Sequence, residues 1–181
     1  MDKLAEGKMH FEMRLQPLLP LLHKALQLNQ NYADQYQVSQ SCAELDDAWV
    51  QVDALRLGQV LSNFLSNAAK FSTAGGDIQL SSRITGDQVC ISVADQGMGI
   101  PAVFHGRIFQ KFSQVDGSNT RQRGGSGLGL AISKELILHM DGSIGFDSEP
   151  GVGSRFWCCL PIQTIAPQAP QSPLTPPQDT A

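Results

Sequence analysis

The stretch from about Ala54 to Phe71 constrains this chain most, because only a helix sorts its residues into two faces. At about 100° per residue, Leu57, Leu61, Phe64, Leu65 and Ala68 fall on one side. Arg56, Gln59, Asn63, Asn67 and Lys70 form a narrow stripe opposite. A helix divided in this way must lay its apolar side against a second layer. The stripe has two readings. It is an ordinary solvent face, or it faces a ligand. Asparagine is a mediocre helix former, and exposed helix positions more often carry Glu or Lys. Two carboxamides one turn apart, followed by a lysine, suit a stripe turned toward Mg²⁺ and phosphate. Amide oxygens ligate a hard cation without adding charge, and an ammonium neutralises phosphate.

Short alternating runs surround this helix. Tyr36–Gln40 and Trp49–Val52 read as strands, and Ile78–Ile84 and Val89–Ala94 read as a hairpin closed around Thr85-Gly86-Asp87. Upstream, Leu21, Leu22, Ala25 and Leu26 recur at helical spacing from Pro20 to about Tyr32. Downstream, a helix from about Leu128 to His139 ends at Gly142 as its C-cap, followed by strands at 143–147 and 154–160. Three helices and five or six strands, without strict βαβ alternation, predict an α+β two-layer sandwich. Residues 96–126 carry neither periodicity, and so long an irregular segment in a compact domain is a functional lid or disordered.

The net charge of −4 argues against nucleic acid as the main partner, since counterion release needs a basic face. No signal-peptide core follows Met1, and the apolar stretch 15–28 is short and broken by Pro17, Pro20, His23 and Lys24. Membrane contact by this domain is not expected, and an anchor would lie outside the chain. The four cysteines, Cys42, Cys90, Cys158 and Cys159, show no metal-binding spacing. They read as small apolar residues in a reducing compartment. The tail after Ile162 is rich in Pro and Gln and reads as a linker.

Two further motifs carry chemistry. In Ser92-Val-Ala-Asp95-Gln-Gly97-Met-Gly99, a strand ends on a carboxylate, and the glycines allow backbone to approach a flat ligand. Asp95 can accept from an exocyclic amine and so select adenine. The second, Arg121-Gln-Arg123-Gly124-Gly125-Ser126-Gly127-Leu128-Gly129, opens a helix. The free N–H groups and positive helix end there attract a polyphosphate. It is neither a P-loop nor a Rossmann fingerprint.

Taken in order, Asn63-x-x-x-Asn67-Ala-x-Lys70-Phe71, Asp95-x-Gly97-x-Gly99, Phe109-x-x-Phe112, Gly125-Ser-Gly127-Leu128-Gly129 and Gly151-x-Gly153-Ser154 resemble a known set. They are similar to the N, G1, F, G2 and G3 boxes of histidine-kinase catalytic domains, in the gyrase/Hsp90/MutL-type ATPase superfamily. The resemblance implies a Bergerat-type ATP-binding fold, a mainly antiparallel sheet of about five strands under three helices, with a long ATP lid. It divides the chain into the end of a dimerisation helix or linker (1–14), an ATP-binding catalytic domain (15–162) and a disordered tail (163–181). It implies ATP and Mg²⁺ as cofactors. Asn67 would ligate the metal, with Asn63 supporting or sharing it, and Lys70 would contact phosphate. Phe71 would pack beside the base, Asp95 would read the adenine amine, and Gly97 and Gly99 would shape the base pocket. Gly125, Gly127, Leu128 and Gly129 would hinge the lid and offer N–H groups. Arg121, and less directly Arg123, would reach the γ-phosphate. Phe109 and Phe112 would anchor the lid, and Ser154 would join a water network around Asp95.

The departures count too. None of His10, His23, His105 and His139 has the context of a phosphoacceptor. The implied partners are therefore a dimerisation and phosphoacceptor domain of the same kinase and a response regulator receiver domain downstream. The implied location of the domain is cytoplasmic, with attachment of the parent to the inner membrane left open. A serine-directed anti-sigma-factor kinase and a catalytically silent nucleotide-sensing module remain as alternatives.

Overall fold

A computed structural model describes residues 9–111 and 128–164. The main sheet has five strands in the order β2-β4-β5-β7-β6: β2 (Ser39–Leu45), β4 (Asp77–Thr85), β5 (Gln88–Asp95), β7 (Gly153–Pro161) and β6 (Ser143–Glu149). Only β2 runs parallel to its neighbour, β4; the other pairs are antiparallel. A separate ribbon pairs β1 (Arg14–Pro17) with β3 (Trp49–Val52). Helices α1 (Leu19–Gln35), α2 (Ala54–Phe71) and α3 (Gly129–His139) form the second layer. The sequence predicts this α+β two-layer architecture, and the fold has it.

Helix α2 occupies the middle of that layer. Asp53 caps it, Oδ1 accepting the Arg56 N–H at 3.0 Å and Oδ2 accepting the Glu12 N–H at 2.9 Å. Its apolar face buries Leu57, Leu61, Phe64 and Leu65 almost completely, against Ile78 and Leu80 of β4 and Ile91 and Val93 of β5 in one core. Each fully buried Leu, Ile or Phe contributes about 1.5–3 kcal/mol relative to exposure, so this face anchors the helix firmly. Its opposite stripe is thereby held at a fixed distance from the strand ends.

Three local expectations need correction. Tyr36–Val38 are not strand: Gln37 takes a left-handed φ of 58°, and the Val38 N–H donates to the Ala33 carbonyl, closing α1. The strand starts only at Ser39. At the end of α3 the left-handed residue is Asp141 (φ 59°), not Gly142. A β-carbon on Gly142 would lie 2.5 Å from the Cys159 carbonyl, so its glycine answers a close approach rather than a turn. Finally, the cysteines are not four separate thiols. The antiparallel register of β5 and β7 sets Cys90 opposite Cys159, with Cα atoms 4.0 Å apart, and the two form a disulfide. Cys42 and Cys158 are free thiols, the first exposed and the second buried.

Candidate functional site

Asp95 is the last residue of β5, and two backbone N–H groups reach it, one from its own following loop and one from β7. Its Oδ1 accepts the N–H of Gly97 at 2.9 Å and of Ser154 at 3.3 Å. Partial burial pushes this carboxyl above its ordinary range, opposed by those two backbone donors. Gly97 is buried, and a β-carbon there would overlap the Phe71 carbonyl at the end of α2. The strand end and the helix end therefore meet backbone to backbone. Gly99 has φ 70° and faces the Glu149 carbonyl with no room for a side chain. The same loop is stitched to β6 and β7: the Ile100 N–H donates to Ser148 Oγ at 2.7 Å, and Ser148 Oγ lies 2.8 Å from Ser154 Oγ. Phe71 is half-buried, and beside it Ser72 Oγ is buried with no hydrogen-bond partner among the described residues.

From this point Lys70, Asn67 and Asn63 lead back along α2, all three half-buried. The Lys70 Nζ sits 6.0 Å from the centre of the Tyr32 ring of α1. Asn63 is gripped by α3. Its Nδ2 donates to Ser133 Oγ at 3.2 Å, and a β-carbon on Gly129 would overlap its Oδ1. Between the three helices lies a cavity of about 300 Å³, with Asn29, Gln59, Ser62, Asn63, Ser66 and Ser133 among its lining residues. Asn29, 9% exposed, donates to Ser62 Oγ at 3.0 Å and to the Ala25 carbonyl at 2.8 Å. Gly129 and Ile132 complete the lining, so polar side chains share this wall with apolar surface.

Among the described residues no three His, Cys, Asp or Glu side chains cluster as a metal cage. The carboxamide oxygens of Asn63 and Asn67 are the donors on α2 that would hold a divalent cation together with the ligand's own phosphates. Mg²⁺ takes that arrangement readily, since it keeps waters and shares phosphate oxygens rather than demanding a full protein shell. The donor set of Asn63 and Asn67 fits it.

After the Asp95 loop, a short 3₁₀ helix (Ala102–Arg107) leads to Phe109. Phe109 contacts Phe146 of β6 edge-on at 5.8 Å. Phe146 stacks on Phe156 of β7 at 5.7 Å, and Phe156 meets Phe64 of α2 at 5.8 Å. A line of four rings thus ties this segment to the helix that carries Asn63 and Asn67. Phe112, Arg121, Arg123, Gly125 and Gly127 lie outside the described residues. Leu128 and Gly129 begin α3, where the Leu128 carbonyl accepts the Ile132 N–H at 2.9 Å. Sequence reasoning singled out neither Ser133, Ser148 nor Ser72. Each is an unremarked serine whose partner or surroundings are set by tertiary contact.

Residues 52–164 match the family described as histidine kinase-, DNA gyrase B- and HSP90-like ATPase. The alginate biosynthesis sensor protein KinB of Pseudomonas aeruginosa is 45% identical over 113 residues, covering 62% of this chain and 18% of that protein. The sensor histidine kinase RcsC of Escherichia coli is 51% identical over 110 residues, covering 61% of this chain and 12% of that protein. The chain thus spans less than a fifth of either relative's length. Among solved structures, full-length ShkA in complex with AMPPNP superposes with a TM-score of 0.78 at 32% identity, over 91% of this chain and 34% of that one. The catalytic domain of histidine kinase ThkA does so at 0.70 and 26% identity, over 84% of this chain and 98% of that one. On the family match over residues 52–164 and the shared sheet architecture, the chain belongs to the histidine kinase-, DNA gyrase B- and HSP90-like ATPase family, and the relatives named here are sensor proteins and histidine kinases.

Proposed function

We propose that this chain is the ATP-binding catalytic domain of a two-component sensor histidine kinase. It holds ATP with Mg²⁺ and delivers the γ-phosphoryl to a histidine on a dimerisation domain, from which a receiver domain takes it. The observation that carries this reading is that the Asp95 loop meets the end of α2 at Phe71, while Lys70, Asn67 and Asn63 lie along that same helix. One end offers a carboxylate oxygen for an exocyclic amine. The other offers a cation-binding amide, an ammonium and the first turn of α3.

Asp95 selects adenine, and Gly97 and Gly99 keep the base pocket flat, with Phe71 beside it. Ser154 holds Asp95 through its N–H and joins the hydroxyl pair with Ser148. Asn67 and Asn63 hold the cation, which when bound neutralises charge on the phosphate oxygens. Lys70 adds a second positive group. Arg121, with Arg123, reaches the γ-phosphate, and Gly125 and Gly127 shape the lid over it. Phosphoryl transfer is mostly positioning and charge neutralisation, and this set provides both. The acceptor is not one of the chain's described histidines. His105 Nε2 is engaged with the Ile100 carbonyl at 2.8 Å, and His139 packs on Phe11. None of the helices among the described residues is long and apolar enough to cross a membrane.

Titration calorimetry with a non-hydrolysable ATP analogue tests the reading directly. Binding is expected with Mg²⁺, weaker without it, and absent for the guanine analogue. Asn67→Ala should remove most of the Mg²⁺ enhancement and abolish transfer to a supplied dimerisation domain. Folded protein that gives no heat with adenine nucleotides would end the proposal.

A further inference from the structure

Among the described residues, the pair Asn63 and Ser133 links the polar stripe of α2 to α3 through side chains on both helices. We infer that Ser133 is a positioning residue that fixes which end of the Asn63 carboxamide faces the cation and phosphate. The inference rests on the ATP-binding reading given above and deepens it.

A carboxamide is nearly symmetrical in shape but opposite in polarity at its two ends. If nothing chooses between the orientations, the side chain presents an oxygen part of the time and an NH₂ the rest. Only the oxygen can ligate a cation. Here the choice is made from the α3 side. Ser133 is 2% exposed, so its hydroxyl is screened from water, and it accepts from Asn63 Nδ2 at 3.2 Å. One turn earlier on the same helix, Gly129 has no side chain, and the Asn63 Oδ1 occupies the space a β-carbon would need. Gly129 and Ser133 are four residues apart and so stack on one face of α3. Together they clasp the amide: the serine holds the nitrogen, and the glycine leaves a bay for the oxygen. That oxygen therefore lies beside Gly129, the first residue of α3. A helical serine commonly donates its own proton to the carbonyl four residues back, which leaves its lone pairs to accept.

Ser133→Ala removes the acceptor, and Ser133→Cys keeps nearly the same volume while replacing a good acceptor with a poor one. The measurement is the affinity of the whole chain for the ATP analogue, with Mg²⁺ and in excess chelator, so that the ratio of the two reads the cation's contribution alone. For both variants the ratio should fall by about threefold to tenfold, with affinity in chelator within about twofold of wild type and an unchanged circular-dichroism melting midpoint. In an Asn63→Ala background, Ser133→Ala should have no further effect on the ratio, because the serine acts only through that amide. A ratio equal to wild type in Ser133→Cys overturns the inference. So does a loss of equal size with and without Mg²⁺, or one that persists undiminished in the Asn63→Ala background. Failure of wild type to bind any adenine nucleotide is a different result, and it removes the functional proposal itself.

Discussion

Asp95 bears two conflicting demands, since a ligand's amine wants its charge and its burial opposes it. Its folded carboxyl sits above the ordinary value, mainly through desolvation, with the amides of Gly97 and Ser154 pulling the other way. The folded state therefore keeps that proton to higher pH than the unfolded chain does. Its contribution to stability is full below the unfolded carboxylate value and is lost as pH rises through the raised folded value. In ligand-free protein, Asp95→Asn should melt higher relative to wild type at about pH 7 than at about pH 4; a constant gap would refute this. Under the proposed function nucleotide affinity runs in the opposite sense, because there the ionised carboxyl is the acceptor. Wild-type affinity should fall on acidification, and Asp95→Asn should weaken binding by about tenfold to a hundredfold at neutral pH. The thiols supply a separate check. Burial pushes the Cys158 thiol up to about 12, so it carries almost no thiolate at neutral pH. A maleimide added to native, unreduced protein should mark Cys42 alone, denaturation should add Cys158, and reduction should then release Cys90 and Cys159. Intact-mass measurement counts each step.

Among the elements, the line of rings from Phe109 to Phe64 is the most exposed to mutation. Phe146→Ala breaks it in the middle, removing contacts with both Phe109 and Phe156. Because Phe146 is half-buried, a loss of about 2–3 kcal/mol is expected, at or below the low end for a core phenylalanine. Denaturant melts measure it, and a change below about 1 kcal/mol would show the line to be incidental. This ladder also shows what a sequence reveals and what it hides. Helix α2 is legible from Ala54 to Phe71 because its helical period is a local signal, and the motif around Asp95 is legible because strand, carboxylate and glycine are consecutive. The strand start at Ser39 was hidden, since residues 36–38 alternate while serving as the cap of α1. Ser133 and Asn63 are 70 residues apart, and Cys90 and Cys159 are separated by 69. Nothing in local spacing announces either pairing. Register decides one and helix packing the other.

At the scale of the whole molecule, the segment ahead of α1 is more than a lead-in. Met9, Phe11 and Met13 pack against the core, Phe11 meets the His139 ring at 5.1 Å, and the Glu12 N–H reaches Asp53. Chain shortened to begin at Arg14 should therefore melt several degrees lower, since about 1 kcal/mol moves a domain of this size by about 2–4 °C. An unaltered midpoint would mean that these contacts are ornamental. The cap residue Asp53 is shared between the incoming segment at Glu12 and the first turn of α2. A load applied to polypeptide upstream of Met9 would thus be felt at the mount of the very rod that bears the two carboxamides.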